Sequence, residues 1–142
     1  MDNLDLILHA TCVAIEGKGI LISGQSGSGK SSLALELMAL GADLISDDRT
    51  VIVNAGGMLI ASPPSSIAGL IEARGVGILA VQYVKSTSVF LSVDMSSVET
   101  DRLPEPHSMT VLDIPVPCLH KVNAPYFPAA ILAFVRGLNV ET

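Results

Sequence analysis

Gly24-Gln25-Ser26-Gly27-Ser28-Gly29-Lys30-Ser31 decides how this chain is read. The stretch satisfies G-x-x-x-x-G-K-[ST], a loop whose backbone N–H groups cradle the phosphates of a nucleotide. Its flanks supply the rest of the mechanism. The apolar run Gly19 to Ser23 predicts a buried strand feeding the loop, and Ser32 to Leu40 predicts a helix leaving it. That helix points its unpaired amides and its positive dipole end at the same phosphates. The extra glycine, Gly27, permits positive φ, so successive N–H groups can turn toward an anion. Lys30 then brings an ammonium to the β and γ phosphates, Ser31 offers a hydroxyl to Mg²⁺, and Gln25, Ser26, Ser28, Gly29 and Ser32 complete the nucleotide contacts.

Outward from the loop, composition narrows the field. The 142 residues form one domain with an aliphatic core, since 49% are hydrophobic but only 4% aromatic. A net charge of −6, with eight basic residues spread along the chain, excludes a nucleic-acid binder, because such affinity needs clustered Lys and Arg. Met1 to Asp5 lacks the basic region of a signal peptide, and apolar runs such as Gly75 to Val84 are too short for a membrane span. Cys12 and Cys118 form no CxxC or metal spacing and read as reduced core thiols of a cytoplasmic protein.

Ala10 to Ile15 is a strand, and Glu16-Gly17-Lys18-Gly19 supplies hairpin turn residues. The strand feeding the loop is therefore the second arm of an antiparallel hairpin. Leu33, Leu37 and Leu40 stripe the following helix beside Ala34 and Met38, so cover is expected on most of its sides, with Gly41 ending it. Ala42 to Ser46 is a short strand, and Val51–Asn54 with Met58–Ala61 make a second hairpin. Beyond the Pro63-Pro64 loop the expectations are a short helix over Ile67 to Ala73 and strands over Ile78 to Val84, Ser88 to Val93 and Thr110 to Val116. Asp94 to Ser108 reads as an exposed connection, and Asn123-Ala124-Pro125 starts a last helix over Tyr126 to Leu138.

A phosphate loop does not choose the reaction; the base and metal partners come from elsewhere. Asp47-Asp48 follows a strand at its carboxyl end, the edge where ligands collect in open α/β sheets. One carboxylate there can hold Mg²⁺ directly or through water and the other can accept a proton from a hydroxyl, although an Asp-Asp turn capping the strand has the same spacing. Glu72 and Arg74 offer a metal ligand and a guanidinium for transferring phosphate, or a solvated surface pair. His9 alone reads as an ordinary histidine, and His107 and His120 fall in proline-containing exposed stretches with no chemistry assigned.

Taken together, His9, Gly24 to Ser32, Leu33 to Leu37, Gly41, Asp47-Asp48-Arg49 and Glu72-Ala73-Arg74-Gly75-Val76-Gly77-Ile78 resemble the catalytic domain of HPr kinase/phosphorylase. The resemblance covers about residues 6 to 82, with motifs in the family's order. It implies a P-loop α/β fold, a mixed sheet with flanking helices related to phosphoenolpyruvate carboxykinase. It also implies phosphorylation of a serine on the HPr phosphocarrier of the phosphotransferase system, with ATP and Mg²⁺. By this resemblance Gly24 to Ser31 bind ATP, Lys30 stabilises its phosphates, and Ser31 and Glu72 bind Mg²⁺ with Asp47 supporting the metal. Asp48 is the general base toward serine and the acid in reverse phosphorolysis, while His9 matches a histidine near the reacting phosphate. The chain resembles the short alphaproteobacterial form, a single kinase domain over 1–142 without the family's N-terminal domain, and the family assembles as hexamers. One departure is plain. Where the family carries Arg-Pro-Gly-Arg-Asn, Val116 is followed here by Pro117-Cys118-Leu119-His120-Lys121-Val122-Asn123, leaving Lys121 or Arg102 to substitute in the phosphorylase direction.

Two rival readings use the same loop. A small-molecule P-loop kinase needs a lid with arginines, yet the four arginines are scattered; a nucleotide-sensing module binds ATP without transfer. A GTPase is disfavoured, with no D-x-x-G switch after the loop and no N-K-x-D motif.

Overall fold

The computed structural model describes residues 5–137. Its strands are β1 Asp5–Leu8, β2 Ala10–Ile15, β3 Lys18–Ser23, β4 Asp43–Ser46, β5 Thr50–Ala55, β6 Met58–Ser62, β7 Leu70–Ala73, β8 Gly77–Ala80, β9 Thr87–Val98, β10 His107–Val111 and β11 Ile114–Lys121. Helices α1 Lys30–Ala39 and α2 Phe127–Arg136 complete the fold with a 3₁₀ turn over Ser65–Ile67.

The hairpin before the loop forms as its residues dictate. Glu16 (φ 52°) and Gly17 (φ 77°) are both left-handed, the turn that matches strand twist, and β2 and β3 pair antiparallel from Ala10↔Ser23 to Ile15↔Lys18. β2 is flanked by β3 and β4 and is buried along its whole length, which explains its apolar residues on both faces. The main sheet runs β1-β5-β6-β9-β3-β2-β4, with β11 also on β9 and β10 on β11. The β3–β9 and β9–β11 pairs are parallel and the others antiparallel, so the sheet is mixed.

Two cores lie on its faces. Val13, Ile20, Ile22, Leu91 and Val93 pack with Leu33 and Leu37 of α1 and Ile131 and Val135 of α2. Cys12, Leu21, Ile45, Ile52 and Leu59 pack on the other face with Val111 and Val116 of the β10–β11 hairpin. Each fully buried Leu or Ile contributes about 1.5–3 kcal/mol of transfer free energy. Both cysteines are buried free thiols, and burial pushes the Cys12 thiol up to about 12 and raises Cys118 as well.

Some expectations are corrected. Helix α1 is covered on one face, with Leu33, Ala34 and Leu37 inside, while Leu40 at its C-cap stays exposed. Gly41 ends it as expected, its N–H donating to Met38 O while the Ala42 N–H reaches Leu37 O. Ile67 to Ala73 is not helical. Gly69 stands at φ 78° with Tyr83 against it, and Leu70–Ala73 alternates buried Ile71 and Ala73 with exposed Glu72, the period of a strand. Its partner β8 stops at Ala80, short of the expected Val84.

Asp94 to Ser108 is only partly a connection, because β9 runs on to Val98 and β10 starts at His107. Pairing of Val98 with Lys121 and of the Ser96 hydroxyl with Gln25 holds this polar continuation in place. The single strand expected over Thr110 to Val116 is a hairpin turning at Leu112 (φ 46°) and Asp113 (φ 66°), without the glycine that would signal such a turn. The last helix starts at Phe127 with Pro128 in its first turn, as expected; Leu138 lies outside the described residues. No helix among the described residues is long and apolar enough to cross a membrane.

Candidate active site

β3 ends at Ser23 and α1 begins at Lys30, so Gly24 to Gly29 form the connecting loop, with Gly27 at φ 83°. Lys30 is buried, and its Nζ donates to the carbonyls of Gly24 (2.9 Å) and Gln25 (3.1 Å). The Gln25 N–H donates to Ser96 Oγ at 2.8 Å, and the Ser96 N–H donates in turn to Asp94 Oδ1. The extended end of β9 thus braces one side of the loop. Among the described residues Ser28 Oγ is buried without a hydrogen-bond partner, an arrangement that costs about 1–3 kcal/mol unless a ligand satisfies it. Beside it opens a cavity of about 410 Å³, lined among others by Ser28, Gly29, Ser32, Lys121, Asn123 and Phe127.

Asp47 organises the other side. Its Oδ1 accepts from Ser31 Oγ (2.6 Å) and Thr11 Oγ1 (3.0 Å), and its Oδ2 accepts from the Glu72 N–H (3.0 Å). With 7% exposure the carboxylate sits where burial without partners would be costly, and three donors meet it. One side chain therefore ties the loop, β2 and β7 together at the carboxyl end of β4. Asp48 follows in a left-handed conformation (φ 69°) with its N–H on Thr11 Oγ1, and its side chain is exposed. His9 Nε2 lies 3.3 Å from Asp48 Oδ1, with both side chains more than half exposed.

The structure thus brings Ser31, Asp47, Asp48, His9 and the backbone of Glu72 to one edge of the sheet. The Glu72 side chain is exposed, and Arg74 follows in the turn after β7 without hydrogen bond or ion pair among the described residues. Gln25, Ser26 and Ser32 lie in or next to the loop. Of the suggested substitutes for the family's arginines, Lys121 lines the cavity and Arg102 does not. Sequence reasoning passed over Thr11 and Ser96. A hydroxyl in an otherwise apolar, buried strand was the available signal for Thr11; nothing local marked Ser96. The Ser31 hydroxyl and the Asp47 carboxylate are oxygen donors that suit a hard cation such as Mg²⁺, and the orphaned Ser28 hydroxyl beside an open cavity suits an anionic ligand.

The pattern of the HPr Serine kinase C-terminal domain matches residues 4–120. The chain belongs to that family. It is 34% identical over 140 residues to the HPr kinase/phosphorylase of Clostridium tetani, covering 90% of this chain and 45% of the relative. An Exiguobacterium HPr kinase/phosphorylase is likewise 34% identical over 145 residues, covering 93% and 47%. The chain thus spans less than half the length of these curated relatives. Among solved structures, the Hpr(Ser) kinase/phosphatase from Coxiella burnetii superposes with a TM-score of 0.78 at 28% identity, covering 92% of this chain and 94% of that one. The mixed α/β fold expected from the family resemblance is therefore the observed one.

Proposed function

We propose that this chain is a single kinase domain that transfers the γ-phosphoryl group of ATP to a serine of an HPr-type phosphocarrier protein in the cytoplasm. Membership of the HPr kinase family supports the reading, and the observation that carries it is the Asp47 junction. It links the phosphate loop to the strand end that presents Asp48, so base and nucleotide share one rigid edge.

Gly24 to Ser32 hold the triphosphate with their amides and hydroxyls, Ser28 Oγ among them. Lys30 exchanges its loop carbonyls for phosphate oxygens, and Ser31, Glu72 and Asp47 are the residues that would hold a magnesium ion. That ion, when bound, neutralises charge on the phosphates. Asp48 accepts the proton of the substrate serine as its oxygen attacks phosphorus, and the bond to ADP breaks. His9 orients the Asp48 carboxylate, and Arg74 meets charge developing on the transferred group. In reverse, Asp48 returns the proton when inorganic phosphate attacks phosphoserine, with Lys121 as the cation beside the cavity. A homo-oligomer, hexameric by family resemblance, is part of the proposal.

The test is incubation of the protein with γ-labelled ATP, Mg²⁺ and an HPr-type carrier, followed by mapping of the label. Label on a carrier serine, lost with Lys30→Ala and with Asp48→Asn while the latter still binds ATP, is the expected result. ATP binding without label on the carrier would overturn the kinase and leave a nucleotide sensor.

A further inference from the structure

His107 and His120, to which the sequence assigned no chemistry, are brought together with Glu99 at the far end of β9. Glu99 follows the last residue of that strand, and its N–H donates to Lys121 O at 2.8 Å. His107 opens β10 opposite Cys118 of β11, which places His120, two residues beyond Cys118, diagonally across on the same face. The two imidazoles stack with centroids 3.8 Å apart and planes 7° apart. His107 Nε2 lies 2.9 Å from Glu99 Oε1. One ligand atom from each of the three residues falls within 4.8 Å of the others, and all three side chains are half-buried.

The carboxylate is held before any ligand arrives. Glu99 Oε2 accepts from the N–H groups of Thr100 and Asp101, both at 3.1 Å, which leaves Oε1 directed at the histidines. Metal-ligating carboxylates are commonly anchored by such outer hydrogen bonds.

We propose that Glu99, His107 and His120 form a site for one divalent transition-metal ion of the zinc class, distinct from the oxygen-donor cluster at Ser31 and Asp47. Two imidazole nitrogens and one carboxylate oxygen are a donor set that zinc accepts, with a fourth position left to water. Ligand atoms about 2.0–2.1 Å from a tetrahedral ion stand about 3.4 Å apart, and each imidazole binds through a lone pair in its own ring plane, so binding requires one of the two rings to leave the parallel stack and turn its nitrogen toward the ion. The ion would join β9, β10 and β11, one residue from the Lys121 that lines the cavity beside Ser28. The site needs no phosphoryl transfer, so it stands or falls independently of the kinase reading.

The experiment uses the full chain in excess Mg²⁺, which occupies oxygen-donor sites, and titrates Zn²⁺ alone. Calorimetry is expected to show one Zn²⁺ per chain, unchanged in Ser31→Ala. His107→Gln, His120→Gln and Glu99→Gln should each weaken binding by at least about tenfold, since a lost ligand costs no less than a lost outer-shell partner. Imidazole nitrogen resonances of the wild-type chain check this without any substitution. Zn²⁺ should shift His107 and His120 and leave His9 in place. No shift at either histidine with Zn²⁺ in excess, or shifts confined to His9, would overturn the site.

Discussion

Asp47 and Thr11 show how little chain is needed to set the edge that carries the candidate site. Thr11 Oγ1 donates to Asp47 Oδ1 and accepts from the Asp48 N–H, so one hydroxyl positions both members of the acidic pair. Thr11→Val keeps the shape but removes a donor to a buried carboxylate and strands an amide, at a cost of about 1–3 kcal/mol. The expected outcome is a lowered urea midpoint. In the proposed transfer reaction kcat should fall while KM for ATP holds, because Asp48 is displaced and the phosphate loop is not. An unchanged midpoint and kcat would show that this hydroxyl positions nothing.

At the scale of elements, the β7–β8 hairpin is the least supported piece beside the site. It is a two-stranded sheet of its own, with Val76 (76%) and Ile78 (73%) exposed. A lone two-stranded hairpin is marginal in water, so its tethers matter. These are the Glu72 N–H on Asp47, the Val84 N–H on Leu44 O of β4 just beyond the hairpin, and the buried Ile71 under α1. Hydrogen exchange should therefore find β7–β8 amides opening well below the global free energy, while β3 and β9 exchange only with global unfolding. Equal protection in all four strands would refute this ordering. The hairpin was also misread as helix from Ile67 to Ala73, since a short apolar run does not tell the two periods apart. The positive φ of Gly69 and the packing of Tyr83 settle it. Similarly, Leu112-Asp113 turns left-handed without glycine, and only the pairing of β10 with β11 reveals that turn.

Across the whole molecule, the sheet separates two cores, and Cys12 lies fully buried between β3 and β4. An unfolded thiol ionises near its ordinary value of 9.0, whereas burial holds the folded one at about 12. Between those values the folded chain keeps a proton that the unfolded chain releases, so stability falls as pH rises through this window. The contribution is about 1.4 kcal/mol per pH unit. Urea midpoints measured below and above pH 9 should thus drop more steeply in the wild type than in Cys12→Ala, which has no thiol to ionise. Parallel slopes would count against so deep a burial.

The sequence by itself determined the elements governed by local chemistry. The Ala10–Ser23 hairpin with its Glu16-Gly17 turn, the glycine-rich loop, the helix that follows it and ends at Gly41, and the Asp47-Asp48 strand end all follow from neighbouring residues, although that helix begins at Lys30, two residues before the Ser32 the pattern gives. Tertiary structure decided what depends on distant partners. The reach of β9 to Val98 rests on Lys121, the place of Ser96 on Gln25, the role of Thr11 on Asp47, and the meeting of Glu99, His107 and His120 on strand pairing. Residues far apart in the chain meet only when burial of the two cores outweighs the entropy of closing the loops between them, and no local pattern records that balance.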